Sequence, residues 1–538
     1  MMTDLEPADV LLINPPWLSK SQNIWHGIKG AMPSLGLLSI AAYLEKQGVS
    51  VRVLDIHVEK LSANETREVI RHVRPKVVGI TVMTATAVPS YKIARLAKEA
   101  DENILVVMGG VHAEALPEEC LINSSVDLVV RGDGELTMYR IVSEFLNGRC
   151  PRGISGISYR DGNKVVHSPP GDVIADLNEL PFPAYHLAPM HKYYPAIGAY
   201  RRLPAINMLM TRGCPGKCIF CNSAMTKLRT RDAEPVVEEI IYLKKRYGIR
   251  EIQFYDDTFT IFKQNVFKFC ELLLKRNVDV TWTAFVRTDC ISHDLAKAMK
   301  AAGCHQMLFG VESGDEQILA NVRKPIDREK TIWAHNIVRE VGIELRSAFI
   351  FGNNGETMQT MQNTLDFAIE LDPDISIFNV CTPYPGTQLF KWAKMHGYLK
   401  HEDWTEYEIS TFLMNLPTLD SNQLKEFYSY AYQRFYRRPI AIWRRLKKIS
   451  SFSQIADLFH AFCFIMLRHK FGARDVVRQD WAYDKKEDFF DFRISDDVET
   501  RLTYELHYEP LRSHPIVPVP APPSVATSPA VVADSLTP

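Results

Sequence analysis

No stretch of this chain reaches the roughly 18 uninterrupted apolar residues that a membrane-spanning helix needs. The nearest approach, residues 455–467, is short and broken by Asp457 and His460. Charge of one sign is also lacking: 63 basic side chains face 64 acidic ones, so no global field draws the chain to nucleic acid. Cysteine is sparse, ten in 538 residues with only three close together, and no charged-apolar-small pattern marks a secretory leader within residues 1–17. These features speak against a disulfide-stapled secreted scaffold and predict a protein of the reducing cytoplasm. The chain is too long for one ordinary core, so two or three domains are expected.

What the chain does have is a strand-then-helix rhythm, twice over. Short apolar runs at 10–13, 51–54, 77–82, 104–108 and 127–130 alternate with helical spacing such as that of residues 37–44. Buried strands separated by helices imply a parallel sheet covered on both faces, and so an α/β, doubly wound (Rossmann-like) domain over residues 1–148. Residues 149–202, with Pro169, Pro170, Pro181 and Pro183, read as an irregular linker. The rhythm resumes at 206–210, 251–255, 281–285, 306–311, 345–351 and 375–380. Six such units predict a partial (β/α)6 barrel over 203–400, with its reactive groups at the C-terminal ends of the strands. Residues 401–508 read as a helical region rich in aromatics (Phe427, Tyr428, Tyr430, Tyr432, Phe435, Tyr436), and residues 509–538 as a disordered, proline-rich tail.

The three neighbouring thiols lie in Thr211-Arg-Gly-Cys214-Pro-Gly-Lys-Cys218-Ile-Phe-Cys221, directly after the first barrel strand. Thiolates on a short glycine-containing loop suit an iron-sulfur cubane, and three of them leave one of four irons open to an external ligand. A zinc site is the competing reading and wants a fourth Cys or His; a disulfide would strand the third thiol.

This motif resembles that of the radical S-adenosylmethionine superfamily, and the resemblance covers about residues 203–399. It implies a 4Fe-4S cluster on Cys214, Cys218 and Cys221, with Phe220 as the usual aromatic before the last cysteine and S-adenosylmethionine on the open iron. Reductive cleavage there would give a 5'-deoxyadenosyl radical. Tyr255-Asp256-Asp257-Thr258 is similar to the segment that contacts the methionine amino group, although either Asp also suits a plain helix cap. Glu312, in Phe309-Gly310-Val311-Glu312-Ser313-Gly314, is expected at the barrel mouth against S-adenosylmethionine. Arg346, and Arg287 with Asp289, are candidates for holding carboxylates or for pairing internally. In Phe351-Gly352-Asn-Asn-Gly355-Glu356-Thr357, Asn354 stands where the family usually has Pro, which predicts a locally different turn. Thr382-Pro-Tyr-Pro-Gly386-Thr387 fits the family's last strand end.

The front third resembles the cobalamin-binding domain of the branch that includes anaerobic magnesium-protoporphyrin monomethyl ester cyclase, hopanoid methylases and phosphonate methylases. The matching residues are Asn14, Gly36, Thr81, Thr84, Gly109, Gly110, His112, Gly132 and Glu135, within Asn14-Pro15-Pro16, Pro33-Ser-Leu-Gly36, Met108-Gly-Gly-Val-His112 and Arg131-Gly-Asp-Gly-Glu135. Loops at strand C-termini form the ligand crevice of such a sheet. The Asp-x-His-x-x-Gly signature is absent, so no histidine is expected below the cobalt. As plain structure, Gly109 and Gly110 would be a strand-to-helix turn and His112 a surface side chain.

The resemblance implies C-methylation of an unreactive carbon, with oxidative cyclisation of a porphyrin as the alternative and a non-catalytic cobalamin-binding protein as a distant third. An electron donor such as flavodoxin or ferredoxin is implied as partner. The aromatic C-terminal region favours a hydrophobic substrate, a tetrapyrrole or isoprenoid lipid. Its basic residues Arg434, Arg437, Arg438, Arg444, Arg445, Lys447 and Lys448 make it a candidate for peripheral membrane contact or, more simply, for a helical cap.

Overall fold

The computed structural model describes residues 6–17, 30–123, 125–447 and 481. Expectations for Lys448, residues 455–467 and the tail 509–538 lie outside them. Five front strands, β1 (Val10–Asn14), β2 (Val51–Asp55), β3 (Val77–Thr81), β4 (Leu105–Gly109) and β5 (Leu128–Val130), pair in parallel in the order β2-β1-β3-β4-β5. Their side chains are almost all buried, as expected of strands with helices on both faces. The stretch read as an irregular linker carries a hairpin, β6 (Ile157–Asp161) and β7 (Lys164–His167), that extends the sheet antiparallel beyond β5. Ile157 and Ser158 are buried but Lys164–His167 are not, so as an edge ribbon the hairpin lacked the apolar pattern that marks a core strand.

After the two-residue strands β9 (Thr211–Arg212) and β10 (Arg229–Thr230), which follow β8 (Ala205–Met208), the barrel strands are β11 (Glu251–Phe254), β12 (Thr281–Val286), β13 (Cys304–Glu312), β14 (Glu344–Phe351) and β15 (Ile375–Val380). They form one parallel sheet in the order β15-β14-β13-β12-β11-β8, the predicted six-unit partial barrel. Aromatics on its outer face fix the helices: Phe254, Phe259, Phe269 and Trp282 form a buried cluster. The N-terminal end is closed by residues 198–202. Gln253 Nε2 donates to Ala199 O (2.7 Å), Gln306 Nε2 to Gly198 O (3.0 Å), and Glu251 accepts from the Arg201 and Arg202 amides. The open end is therefore the C-terminal one, where the motifs lie.

The aromatic run after residue 420 serves the barrel. Helix Ser421–Tyr436 lies along the free edge of β15. The Tyr432 hydroxyl donates to Phe378 O (2.9 Å) and accepts from its amide (3.0 Å), while Tyr436 does the same at Ser376 (2.8 and 3.1 Å). Phe427, Tyr432 and Phe435 pack edge-on against Phe351 and Phe378. These rings form a cap, so their composition no longer argues for a greasy substrate or a membrane surface. Among the described residues no helix is long and apolar enough to cross a membrane.

The turn where Asn354 replaces proline is held by Glu356, fully buried, which accepts from the amide and side chain of Asn353 and from Thr360 Oγ1. Burial pushes its carboxyl from 4.5 up to about 7 against those hydrogen bonds. The native state thus binds a proton that the unfolded chain has released between those values. Stability from this group is full below about pH 4.5 and is lost as pH rises through about 7. Glu356→Gln is expected to flatten that slope, on the order of 3 kcal/mol, in urea unfolding at pH 5 against pH 8.

Candidate active site

The cluster loop, residues 213–228, is closed at its stem by antiparallel β9 and β10. Gly213 has φ +91°, and a Cβ there would stand 2.3 Å from Lys227 O, so only glycine lets the two arms approach. Within the loop the Thr226 hydroxyl accepts from the Cys214 amide (3.0 Å) and the Met225 amide donates to Gly216 O (2.8 Å). Ile219, buried, ties the loop to the barrel: its amide donates to Val322 O and its carbonyl accepts from Leu389 N. Cys214, Cys218 and Cys221 are all half-buried, and Phe220 packs partly buried against the core. Burial raises the Cys218 thiol, opposed first by the Lys324 cation, and pushes Cys221 up to about 11. Among the described residues no three His, Cys, Asp or Glu side chains converge on a single ion. A cubane asks for wider spacing, since each thiolate binds a different iron.

The two adjacent carboxylates part company. Asp256 is fully buried and turned back on the loop root, accepting from Met210 N (3.0 Å), from the Thr211 amide and from Thr211 Oγ1 (2.7 Å). It braces the loop, which corrects the expectation that it faces S-adenosylmethionine. Burial lifts it to about 7 despite those donors. Asp257 is exposed toward the loop, bonded to Ser223 and close enough to Cys221 to act on its charge. Of the pair, only Asp257 is placed to accept from an ammonium.

Glu312 ends β13 with φ +68°, an uncommon conformation for a side-chain-bearing residue. It pairs with Lys324 Nζ at 2.9 Å, the two side chains 10% and 12% exposed. Both charges act on Cys218. Sequence reasoning missed Lys324, because a lysine following a short helix carries no local signal; only the fold brings it 12 residues back to Glu312. Burial would lower its pKa, but Glu312 and Cys218 hold it above the ordinary lysine value. Arg287 forms a two-pronged bond with Asp289 (3.0 and 2.8 Å), the internal alternative of the sequence reading, and still approaches the loop, where a Cβ on Gly216 would lie 3.4 Å from it. Arg346 donates to Gln306 Oε1 (3.3 Å) in the barrel and acts on the charge of Tyr255, which stacks on Phe285 at 5.5 Å.

In the front domain the predicted residues gather at the C-terminal ends of the strands. Asn14, ending β1, bonds Asp55; Thr81 ends β3 and Gly109 ends β4. Gly110 has φ +98°, and an added Cβ would lie 2.9 Å from Val82 O and 3.2 Å from Thr81 Oγ1. Gly36 and Gly132 open on free space, and Met83 and Val111, on the same loops, are 44% and 48% exposed. Exposed apolar side chains beside open glycines at the strand ends fit the face of a corrin. Two expected contacts lie elsewhere. His112 is wholly buried beside Thr84 Oγ1 (3.4 Å), Glu119 (3.7 Å) and the Trp404 ring (5.1 Å), so it is neither a surface histidine nor a side chain facing the crevice. Glu135 is 3% exposed and paired with Arg212 at 2.8 Å. Burial would raise its carboxyl, but the Arg212 charge outweighs that and holds it low. The crevice adjoins the barrel mouth: a Cβ on Gly386 would stand 3.0 Å from Ala115, just past the Gly109-Gly110 turn, and 3.8 Å from Asn222, next to Cys221.

Ala at Gly110 would have to adopt that left-handed backbone at a strain of about 1–3 kcal/mol, which the turn relieves only by moving. Gly110→Ala is expected to lower bound corrin about tenfold while the chain still assembles its cluster, read from visible absorbance and iron assay.

Two family models match the two halves of this site: the B12 binding domain over residues 25–142 and the Radical SAM superfamily over residues 208–368. With a relative 35% identical along nearly its whole length, the chain belongs to the cobalamin-binding radical S-adenosylmethionine enzymes, whose cofactors are a 4Fe-4S cluster, S-adenosylmethionine and cobalamin. That relative is an uncharacterized methyltransferase of Pyrococcus horikoshii, matched over 87% of this chain and 99% of its own. The anaerobic magnesium-protoporphyrin IX monomethyl ester cyclase of Rubrivivax gelatinosus is 29% identical over 79% of this chain and 77% of its own. In fold, the chain is similar to the radical S-adenosylmethionine methyltransferase TsrM of Kitasatospora setae, solved with cobalamin and a [4Fe-4S] cluster (TM-score 0.64, 17% identity, 84% of this chain and 98% of that one).

Proposed function

We propose that the enzyme methylates an unreactive carbon of a small molecule. When bound, the cluster with S-adenosylmethionine supplies a 5'-deoxyadenosyl radical, and cobalamin supplies the methyl group. The three thiolates hold the cluster and Asp256 keeps their loop root in place. Asp257 accepts from the methionine ammonium, and Lys324, braced by Glu312, meets its carboxylate. Residues 198–202 close the far end of the barrel, so substrate enters between the domains.

The observation that carries this reading is the abutment of the front crevice on the barrel mouth at Ala115, Gly386 and Asn222, which brings a group carried in one domain to a carbon held in the other. The archaeal relative's description as a methyltransferase supports it. The cyclase relative favours a second reading, oxidative ring closure on a porphyrin. It also makes a tetrapyrrole the first substrate to try, with an isoprenoid lipid next and flavodoxin or ferredoxin as reductant. The test is mass spectrometry of the product formed with methyl-deuterated S-adenosylmethionine. Transfer of the labelled methyl supports methylation, and loss of hydrogen without label establishes cyclisation.

A further inference from the structure

The stem of the cluster loop has an electrostatic defect. Arg212 and Arg229 stand directly opposite each other in the two-residue β9–β10 ladder, an arrangement of like charges that pushes strands apart. Neither the loop nor the barrel strands supply the counter-charge. It comes from the front domain, from the loop after β5 and the first turn of the helix Gly134–Leu146 that follows it. Glu135 Oε1 accepts from Arg212 (2.8 Å) and from Ser39 Oγ (2.6 Å). Asp133 Oδ2 accepts from Arg229 (2.7 Å) and lies 3.8 Å from Arg212. Arg229, 9% exposed, also donates to Ile174 O (2.8 Å).

We propose that Asp133 and Glu135 are positioning residues that hold the cluster stem shut through Arg229 and Arg212, making the 131–135 loop the mechanical link between the two cofactor sites. The same loop bears Gly132, which opens on free space at the crevice. Whatever seats the loop tightens the stem two residues before Cys214, and by linkage the cluster seats the loop in return. The inference rests on the cofactor assignment but not on methylation, and its test needs no substrate.

The full chain is reconstituted anaerobically with iron and sulfide, with and without hydroxocobalamin. Iron per chain, corrin absorbance and the electron paramagnetic resonance spectrum of the dithionite-reduced cluster are then measured. In the native protein, cobalamin is expected to change the cluster's g-values. Asp133→Asn with Glu135→Gln leaves two cations face to face and is expected to cut iron about tenfold. Adding Arg212→Gln and Arg229→Gln removes the repulsion and is expected to restore iron while the cobalamin-dependent spectral change stays lost. If the double variant does not fold, Asp133→Asn alone, with Glu135 still in place, is expected to lose about threefold. The proposal is overturned by native g-values indifferent to cobalamin, by full iron in the carboxylate variants, or by a folded fourfold variant that stays iron-poor or keeps the spectral change.

Discussion

Cys218→Ala is expected to bring iron and sulfide per chain to background and to cut reductive cleavage of S-adenosylmethionine about 100-fold or more. The loop leaves no spare ligand. Cys270, the next thiol along the chain, is buried in the core, Cys290 after it is turned to Asp289 at 3.5 Å, and with two thiolates the cubane has two unheld corners. Because Ile219 anchors the loop through its backbone, the substitution should leave the fold intact, which circular dichroism checks. A full cluster in the variant would show that the site lies elsewhere.

Lys324→Met is expected to have the largest effect on stability of any single change at the mouth. Glu312 would keep its charge in a nearly closed site without its partner, a situation that costs about 3 kcal/mol or more. Cys218 would lose the cation that offsets burial. Combining Lys324→Met with Glu312→Gln removes both charges and should recover much of the lost stability in urea unfolding. It should not recover 5'-deoxyadenosine formation, because the ammonium proposed to meet the methionine carboxylate is gone. Recovery of both would make the pair a purely structural one.

The parallel strands of both sheets and the thiol triad were legible in the sequence because each follows from a short-range pattern, apolar runs in one case and fixed spacing in the other. Side-chain direction was not. Asp256 and Asp257 are neighbours of one type, and only the twist at the end of β11 sends the first to the loop root and the second outward. The Arg131-Gly-Asp-Gly-Glu135 motif pointed to the crevice, yet Glu135 answers an arginine 77 residues away. Lys324 and the pairing of Arg212 with Arg229 likewise depend on distances that no local pattern encodes. The aromatic run after residue 420 admitted two readings, a helical cap or a hint of a greasy ligand, and its described rings meet a strand edge that no local pattern announces.

That edge has a further consequence. A barrel of six strands stops with a row of backbone donors and acceptors that another chain's strand could zip onto. Here Tyr432 and Tyr436 occupy alternate rungs of β15 from the 16-residue helix, and Ile409 takes the next through Val380. Phenol oxygens thus stand in for a seventh strand. They terminate lateral growth of the sheet chemically while leaving the barrel unclosed, so its mouth can remain wide without the protein becoming a template for polymerisation.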